Sequence, residues 1–283
     1  MPKADHLLKA ARIALADVET PSRDARLLLQ HVTGLSHEAL IAEPQTQISD
    51  DTAQQFETLL ERRKRHEPIS RILGLREFYG RDFIVTPDVL DPRPDTEVLI
   101  ETALARLPPD KPSRLLDLGT GSGIIAVTLL AERPLAEGVA VDLSETAIEV
   151  ARQNAKAHKV DDRLQFITAS WFEAVTGRFD AILSNPPYIE TDIVPTLEEE
   201  VRNFDPHLAL IGGYDGLDCY RAIASAACDH LKPEGFVAVE IGVGQENDIA
   251  SIFAANHFYI NSRHRDLGGH IRCLVFGAGL KNL

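Results

Sequence analysis

The residues of this 283-residue chain best suited to chemistry are Asn185-Pro186-Pro187-Tyr188, which follow the apolar run Ala181-Ile182-Leu183. The run reads as a short buried strand, and open α/β sheets bind ligands just beyond the carboxyl ends of their strands. Two consecutive prolines fix φ and remove two backbone donors, so the loop presents carbonyl acceptors in a rigid frame. The Asn185 side chain adds another acceptor, and Tyr188 adds a flat ring. This set suits a planar group carrying an NH2, with two hydrogens accepted and one face stacked. A rigid strand-to-loop corner with a capping Asn explains the same four residues, so the loop alone does not decide the matter.

A second loop bears on the choice. Leu115-Leu116-Asp117-Leu118 runs into Gly119-Thr120-Gly121-Ser122-Gly123, then into an apolar helical pattern from Ile124. Glycines at such a turn permit positive φ and let a ligand approach the backbone. The next strand, Gly138-Val139-Ala140-Val141, ends in Asp142, where a carboxylate can take the hydroxyls of a ribose. Asp142 also stands before Ser144-Glu145 as a helix-initiating acid, and the two roles are compatible. Asp117 could accept from the loop's own amides or from a ligand ammonium. No Lys-Ser/Thr pair follows the glycines, which excludes a P-loop.

The elements that must hold these loops follow from periodicity. Residues 1–75 lack strand patterning. Leu7, Leu8, Ala11 and Leu15 recur at helical spacing. Ser22 is expected to cap a helix from Arg23 to His31, closed by Gly34. Asp51 or Thr52 opens a third helix ending near Arg65, with Arg62-Arg63-Lys64-Arg65 as its solvated end. Residues 76–95 read as a β-hairpin around Gly80-Arg81-Asp82, then a proline-held segment, Asp91-Pro92-Arg93-Pro94-Asp95-Thr96-Glu97. Asp95 or Thr96 is expected to cap the next helix, and the segment could wall the site. From there to residue 283 strands alternate with helices. Strands are expected at 114–118, 139–142, 164–168, 180–184, 236–241, 258–263 and 271–276. Helices are expected near 122–132, 145–158, 216–231 and 245–256. Alternation implies an α/β fold with a mostly parallel sheet covered on both faces. The last two strands lack an intervening helix and should pair antiparallel.

Composition narrows the class. Hydrophobic residues make up 44% of the chain, and no apolar run approaches the roughly 20 residues of a membrane span. The start Met1-Pro2-Lys3-Ala4-Asp5-His6 has no signal-peptide core, so a cytoplasmic protein without membrane partners is expected. Cys219, Cys228 and Cys273 form no Cys-x-x-Cys pair, and no histidine spacing suits a metal, so none is expected. The net charge of −14 is concentrated after residue 75. Such a field repels phosphate backbones and disfavours free nucleic acid as a partner. It attracts a basic protein surface.

The glycine loop, Asp142 and Asn185-Pro186-Pro187-Tyr188 together resemble the class I S-adenosylmethionine-dependent methyltransferases, in the branch that methylates planar nitrogens. Along nearly its whole length the chain resembles the release factor glutamine methyltransferases. Asp24-Ala25-Arg26-Leu27-Leu28-Leu29 is similar to the family's helical domain, and Glu77-Phe78-Tyr79-Gly80 to its hairpin. The most distinctive segment is Pro92-Arg93-Pro94-Asp95-Thr96-Glu97; Trp171-Phe172 and Gly213-Tyr214-Asp215-Gly216-Leu217-Asp218 match too. Two positions depart: Asp91 where the family has an apolar residue, and Ser170 where it has an acid.

The resemblance implies a Rossmann-like, seven-stranded, mostly parallel sheet with an N-terminal helical substrate-recognition domain. It implies S-adenosyl-L-methionine as methyl donor, with S-adenosyl-L-homocysteine as product. The cofactor would be held by Gly119, Thr120, Gly121, Ser122, Gly123, Asp142 and Trp171, with Asn185 adjoining. Asn185, Pro186 and Tyr188 are the implied catalytic residues, and Pro187 binds substrate beside them. The implied substrate is the glutamine of the Gly-Gly-Gln loop in class-I peptide chain release factors. Two other readings of the loop remain: an adenine exocyclic-amine methyltransferase acting on a flipped base, and a non-catalytic cofactor-binding regulator.

Overall fold

The computed structural model describes residues 1–279, so the last four residues of the expected 96–283 domain lie outside the described residues. The chain folds as two compact units. The first is Met1–Leu75 with Glu198–Phe204, and the second is Arg76–Leu197 with the chain from Asp205 onward.

The first unit holds α1 (Ala4–Ala14), α2 (Pro21–Thr33), α3 (His37–Ala42), α4 (Asp50–Lys64) and α5 (Ile69–Leu73). Their apolar stripes meet in a core built on Leu15, Leu28, Leu29 and Phe56. Sequence periodicity misplaces two helix starts. Ser22 is not a cap, because Pro21 already occupies the first turn of α2, where its fixed φ suits a helix start. The cap of α4 is Ser49, whose hydroxyl accepts from the Thr52 amide at 3.1 Å, rather than Asp51 or Thr52. The basic cluster is not simply a solvated helix end. Arg63 is 4% exposed. Its Nε donates to Asp24 Oδ2 at 2.7 Å and its Nη1 to Glu200 Oε1 at 2.8 Å. Those partners are remote in sequence, so nothing local marked Arg63 as buried.

The hairpin β1 (Leu75–Phe78) and β2 (Arg81–Ile84) begins on the last residue of the first unit and belongs to the second from Arg76 on. Its turn is Tyr79-Gly80, both at positive φ. That is the geometry of the tight turns which match strand twist. The expected cap at Asp95 or Thr96 is not made. Pro94–Thr96 forms one 3₁₀ turn, and α6 (Glu97–Arg106) follows without a side-chain cap. Then come β3 (Arg114–Leu118), α7 (Ile124–Glu132), β4 (Glu137–Asp142), α8 (Glu145–Ala157), β5 (Leu164–Thr168) and β6 (Phe179–Ser184). After β6 the chain contributes α9 (Glu199–Phe204) to the first unit. It resumes as α10 (Asp218–His230), β7 (Leu231–Glu240), α11 (Glu246–Ala255), β8 (Phe258–Arg265) and β9 (Ile271–Ala278).

The seven strands lie in the order β5-β4-β3-β6-β7-β9-β8. Pairings from β5 to β7 are parallel, and β9 runs antiparallel to both β7 and β8. Strand residues alternate between two cores. Leu115, Ala181 and Leu183 face one, and Leu116, Ile182 and Val239 face the other. From β3 the chain first winds outward through β4 and β5, then returns to β6 on the other side. A crevice therefore opens beyond the carboxyl ends of β3 and β6, where such sheets bind ligands.

Candidate active site

Asp117, at the end of β3, ties the glycine loop to α7. Its Oδ2 accepts from Thr120 Oγ1 at 2.6 Å and from the Ala126 amide at 3.2 Å. Its Oδ1 is buried without a partner. Desolvation is the largest influence on this carboxyl and pushes it up to about 7; the Thr120 and Ala126 hydrogen bonds oppose that. Gly119, Gly121 and Gly123 all have positive φ, at 69°, 54° and 84°. A Cβ at Gly119 or Gly121 would meet nothing within 4 Å, whereas one at Gly123 would come within 3.1 Å of Ala151 Cβ. The first two glycines therefore leave a bare backbone beside open space, and the third lets α7 and α8 approach. Asn154, fully buried on α8, fastens the loop from behind. Its Nδ2 donates to Ser122 O at 2.8 Å and to Ile84 O at 3.0 Å.

Asp142 ends β4 facing this loop. Its Oδ2 accepts from the Gly121 amide at 2.8 Å and its Oδ1 from the Ser144 amide at 2.9 Å. Each oxygen keeps a second acceptor direction. Burial raises its pKa against these backbone hydrogen bonds.

The third strand end is locked to the first. Ser184 Oγ donates to Leu118 O at 2.7 Å inside the sheet, which sets the Asn185 loop beside the glycine loop. Asn185 Nδ2 donates to Thr96 Oγ1 at 3.1 Å. Downstream, Gln245 brackets the loop, donating to Tyr188 O at 3.0 Å while accepting from the Gly242 amide at 3.0 Å. A Cβ at Gly216 would lie 2.4 Å from Tyr188 O, and one at Gly212 would lie 2.6 Å from Pro187 O. The Gly212–Gly216 turn thus presses directly on the loop backbone. Burial is the main cause that pushes the Tyr188 phenol up to about 12, so it is neutral at ordinary pH.

A cavity of about 460 Å³ opens among these ends, a size suited to a nucleoside-sized ligand. Of the residues singled out by sequence, Gly119, Thr120, Gly121, Ser122, Asp142, Trp171, Asn185 and Pro187 line it. Gly123 sits behind, against Ala151. Pro186 is buried in the loop, and Tyr188 packs against the core beneath it. Pro92, Arg93 and Thr96 form one wall, as the proline-rich segment led one to expect. Ser170 lines the cavity as well, whereas Asp91 lies behind its wall. Asp91 is 4% exposed, with Oδ1 unpartnered and Oδ2 3.8 Å from Arg76. Not foreseen from sequence were Leu143 and Ala169, apolar residues of the cavity directly after the ends of β4 and β5. The position of Leu143 directly after Asp142 was the available signal. Also unforeseen were Asn154, Ser184, Glu240 and Gln245, whose partners come from other elements.

Comparisons with known proteins bear on this geometry. A model described as the PrmC N-terminal domain matches residues 6–74, and one described as the methyltransferase small domain matches residues 91–200. A release factor glutamine methyltransferase of Agrobacterium fabrum is 44% identical, over 96% of this chain and 96% of its own. The chain belongs to the release factor glutamine methyltransferases. Another member of that family, from Rhodospirillum rubrum, is 46% identical over 94% of this chain and 82% of its own. The fold extends further than the family. A methyltransferase from Pyrococcus furiosus superposes with a TM-score of 0.54 at 21% identity, covering 72% of this chain and 91% of its own. Like other release factor glutamine methyltransferases, the chain therefore carries a methyltransferase fold, with the seven-stranded, mostly parallel sheet and N-terminal helical region that the resemblance implied. No helix among the described residues is long and apolar enough to cross a membrane, and no cluster of His, Cys, Asp or Glu there could hold a metal.

Proposed function

We propose that this protein transfers a methyl group from S-adenosylmethionine to the side-chain amide nitrogen of the glutamine in the Gly-Gly-Gln motif of class-I peptide chain release factors. The observation that carries the reading is the placement of Asn185. It stands on the cavity wall with Nδ2 committed to Thr96, which leaves Oδ1 as its free acceptor.

The residues present suit the cofactor. Bare backbone at Gly119 and Gly121 borders open space, Asp142 retains acceptor directions for ribose hydroxyls, and Leu143, Ala169 and Trp171 offer apolar surface to a base. When bound, S-adenosylmethionine supplies a methyl group made electrophilic by its sulfonium. The rest falls to this chain. A carboxamide nitrogen is a poor nucleophile, because its lone pair is delocalised into the carbonyl. Asn185 Oδ1 and the Pro186 carbonyl each accept one of its N–H groups, which holds the nitrogen in line and stabilises the positive charge it develops. Positioning of this kind supplies up to about 7–11 kcal/mol. Pro187 shapes the entrance, and Tyr188, whose ring packs under the loop rather than on the cavity wall, props the backbone that carries these acceptors. The proton released after transfer leaves to water.

Residues 1–75 are assigned to gripping the release factor, 76–95 to linking, and 96–283 to catalysis. The acidic charge after residue 75 favours a basic protein surface over a phosphate backbone. The action is placed in the cytoplasm, with S-adenosylhomocysteine as the second product. Incubation with isotopically labelled S-adenosylmethionine and, separately, purified release factor, DNA or RNA tests the proposal. Label should enter the release factor alone, and peptide mapping should place it on the Gly-Gly-Gln glutamine. Label in nucleic acid would favour the adenine reading, and no transfer to any acceptor would leave only cofactor binding.

A further inference from the structure

Asn185 is backed by buried polar groups that the methyl-transfer step itself does not touch. Thr96 is 0% exposed and Glu240, the last residue of β7, is 2% exposed. The Glu240 backbone is fixed on two sides. Its carbonyl accepts from Tyr220 Oη at 2.8 Å, and it pairs in register with Cys273 of β9. Glu240 follows Val239, the register partner of Ser184, so it stands beside Asn185 across the β6–β7 pairing; Thr96 and Asn185 both draw its carboxyl down, yet its Oε2 is buried without a partner. Burying a carboxyl with an unsatisfied oxygen is costly, and an apolar residue of similar volume would fill the space without that penalty.

We propose that Glu240 is a positioning residue for methyl transfer. Its carboxylate acts through Thr96 to hold the Asn185 amide with Nδ2 inward and Oδ1 toward the cavity. The inference rests on the reading of Asn185 given above. An ionised carboxylate can only accept. The Thr96 proton then points to Glu240, and the Thr96 oxygen is left to accept from Asn185 Nδ2, as observed at 3.1 Å. A protonated Glu240 no longer fixes that order. With its proton on the oxygen facing Thr96 it donates to Thr96, Thr96 turns its own proton toward Asn185, and the amide that answers it presents Oδ1 inward. Asn185 would then show an NH2 to the substrate's NH2, donor against donor.

The ionised form is therefore the active one, and the rate should rise with pH as Glu240 loses its proton. Burial is the main influence on this group and raises it to about 7. Thr96 and Arg272 pull it down, Asp95 pushes it up, and Asn185 pulls it down. The other groups around it do not change charge there. Tyr188, in the loop, is pushed up to about 12 and Cys273, on β9, to about 12, while burial also raises Tyr220 of α10 well above its ordinary value. Arg272 remains a cation, paired with Asp95 at 3.1 Å.

The test is the pH dependence of single-turnover methyl transfer to purified release factor, at saturating S-adenosylmethionine. Wild-type enzyme should gain rate through about pH 7, and Glu240→Gln should lose that limb while still binding S-adenosylmethionine. Thr96→Val should lower kcat about tenfold, the scale of one misdirected hydrogen bond, with KM little changed. Thr96→Ser, which keeps the hydroxyl, should recover most of that loss. A limb that persists unchanged in Glu240→Gln would overturn the proposal. So would a Thr96→Val enzyme of wild-type kcat, provided Asn185→Ala is impaired. If Asn185→Ala itself were unimpaired, the reading of the loop would fail first.

Discussion

Replacing Asp142 separates the backbone contacts its carboxylate makes from the ribose role proposed for it. Within the protein, its two oxygens accept backbone amides from Gly121 and Ser144, at 2.8 and 2.9 Å. Under the proposed function, its remaining acceptor directions serve the cofactor's ribose. Asp142→Asn keeps the shape but supplies one acceptor and one NH2, so one of the two amides must face a donor. A buried donor that loses its partner costs about 1–3 kcal/mol, toward the upper end where the partner was charged. Urea denaturation of the free protein should therefore show about 2–3 kcal/mol lost. Calorimetric affinity for S-adenosylmethionine should fall by a further factor of about 10–100, since each 1.4 kcal/mol of lost ribose bonding is about tenfold. Asp142→Ala should lose both amide partners and weaken cofactor binding at least as much. A variant with reduced stability but unchanged cofactor affinity would refute the ribose role and leave Asp142 a loop fastener only.

Other perturbations address the remaining parts. Asn185→Ala removes an acceptor from the substrate amide and should slow single-turnover methylation at least tenfold, from about 1–3 kcal/mol plus lost alignment, with cofactor affinity retained in calorimetry. Gly216→Ala combines a φ of 70° with a Cβ 2.4 Å from Tyr188 O, so kcat should fall while cofactor affinity holds. Arg63→Ala leaves Asp24 buried without its cation, and the first unit should lose about 3–5 kcal/mol in denaturant titration.

Much of the site was legible because its chemistry is written in short, local runs. Three glycines demanding positive φ, an acid at the next strand tip, and Asn-Pro-Pro-Tyr after an apolar strand mark three adjoining strand ends before any pairing is known. The alternation of strand and helix likewise exposes the parallel sheet. What stayed hidden depends on partners distant in sequence. Thr96 looks like a helix cap until β6 brings Asn185 beside it. Arg63 looks solvated until Asp24 and Glu200 enclose it. Glu240 looks like an ordinary strand-end acid until Thr96, Asn185 and Arg272 surround it. The insertion of β9 between β7 and β8 is similarly non-local, since hydrophobic pattern sets which face a residue takes and not which neighbour its strand chooses.

The central claim is that Asn185 and Pro186 hold a flat carboxamide beside the methyl donor. A crystal structure with S-adenosylhomocysteine and a Gly-Gly-Gln release factor tests it most directly. The glutamine nitrogen should lie within hydrogen-bond distance of both Asn185 Oδ1 and the Pro186 carbonyl, and point at the sulfur. A glutamine bound elsewhere, or an Asn185 that turns Nδ2 toward it, would contradict the mechanism.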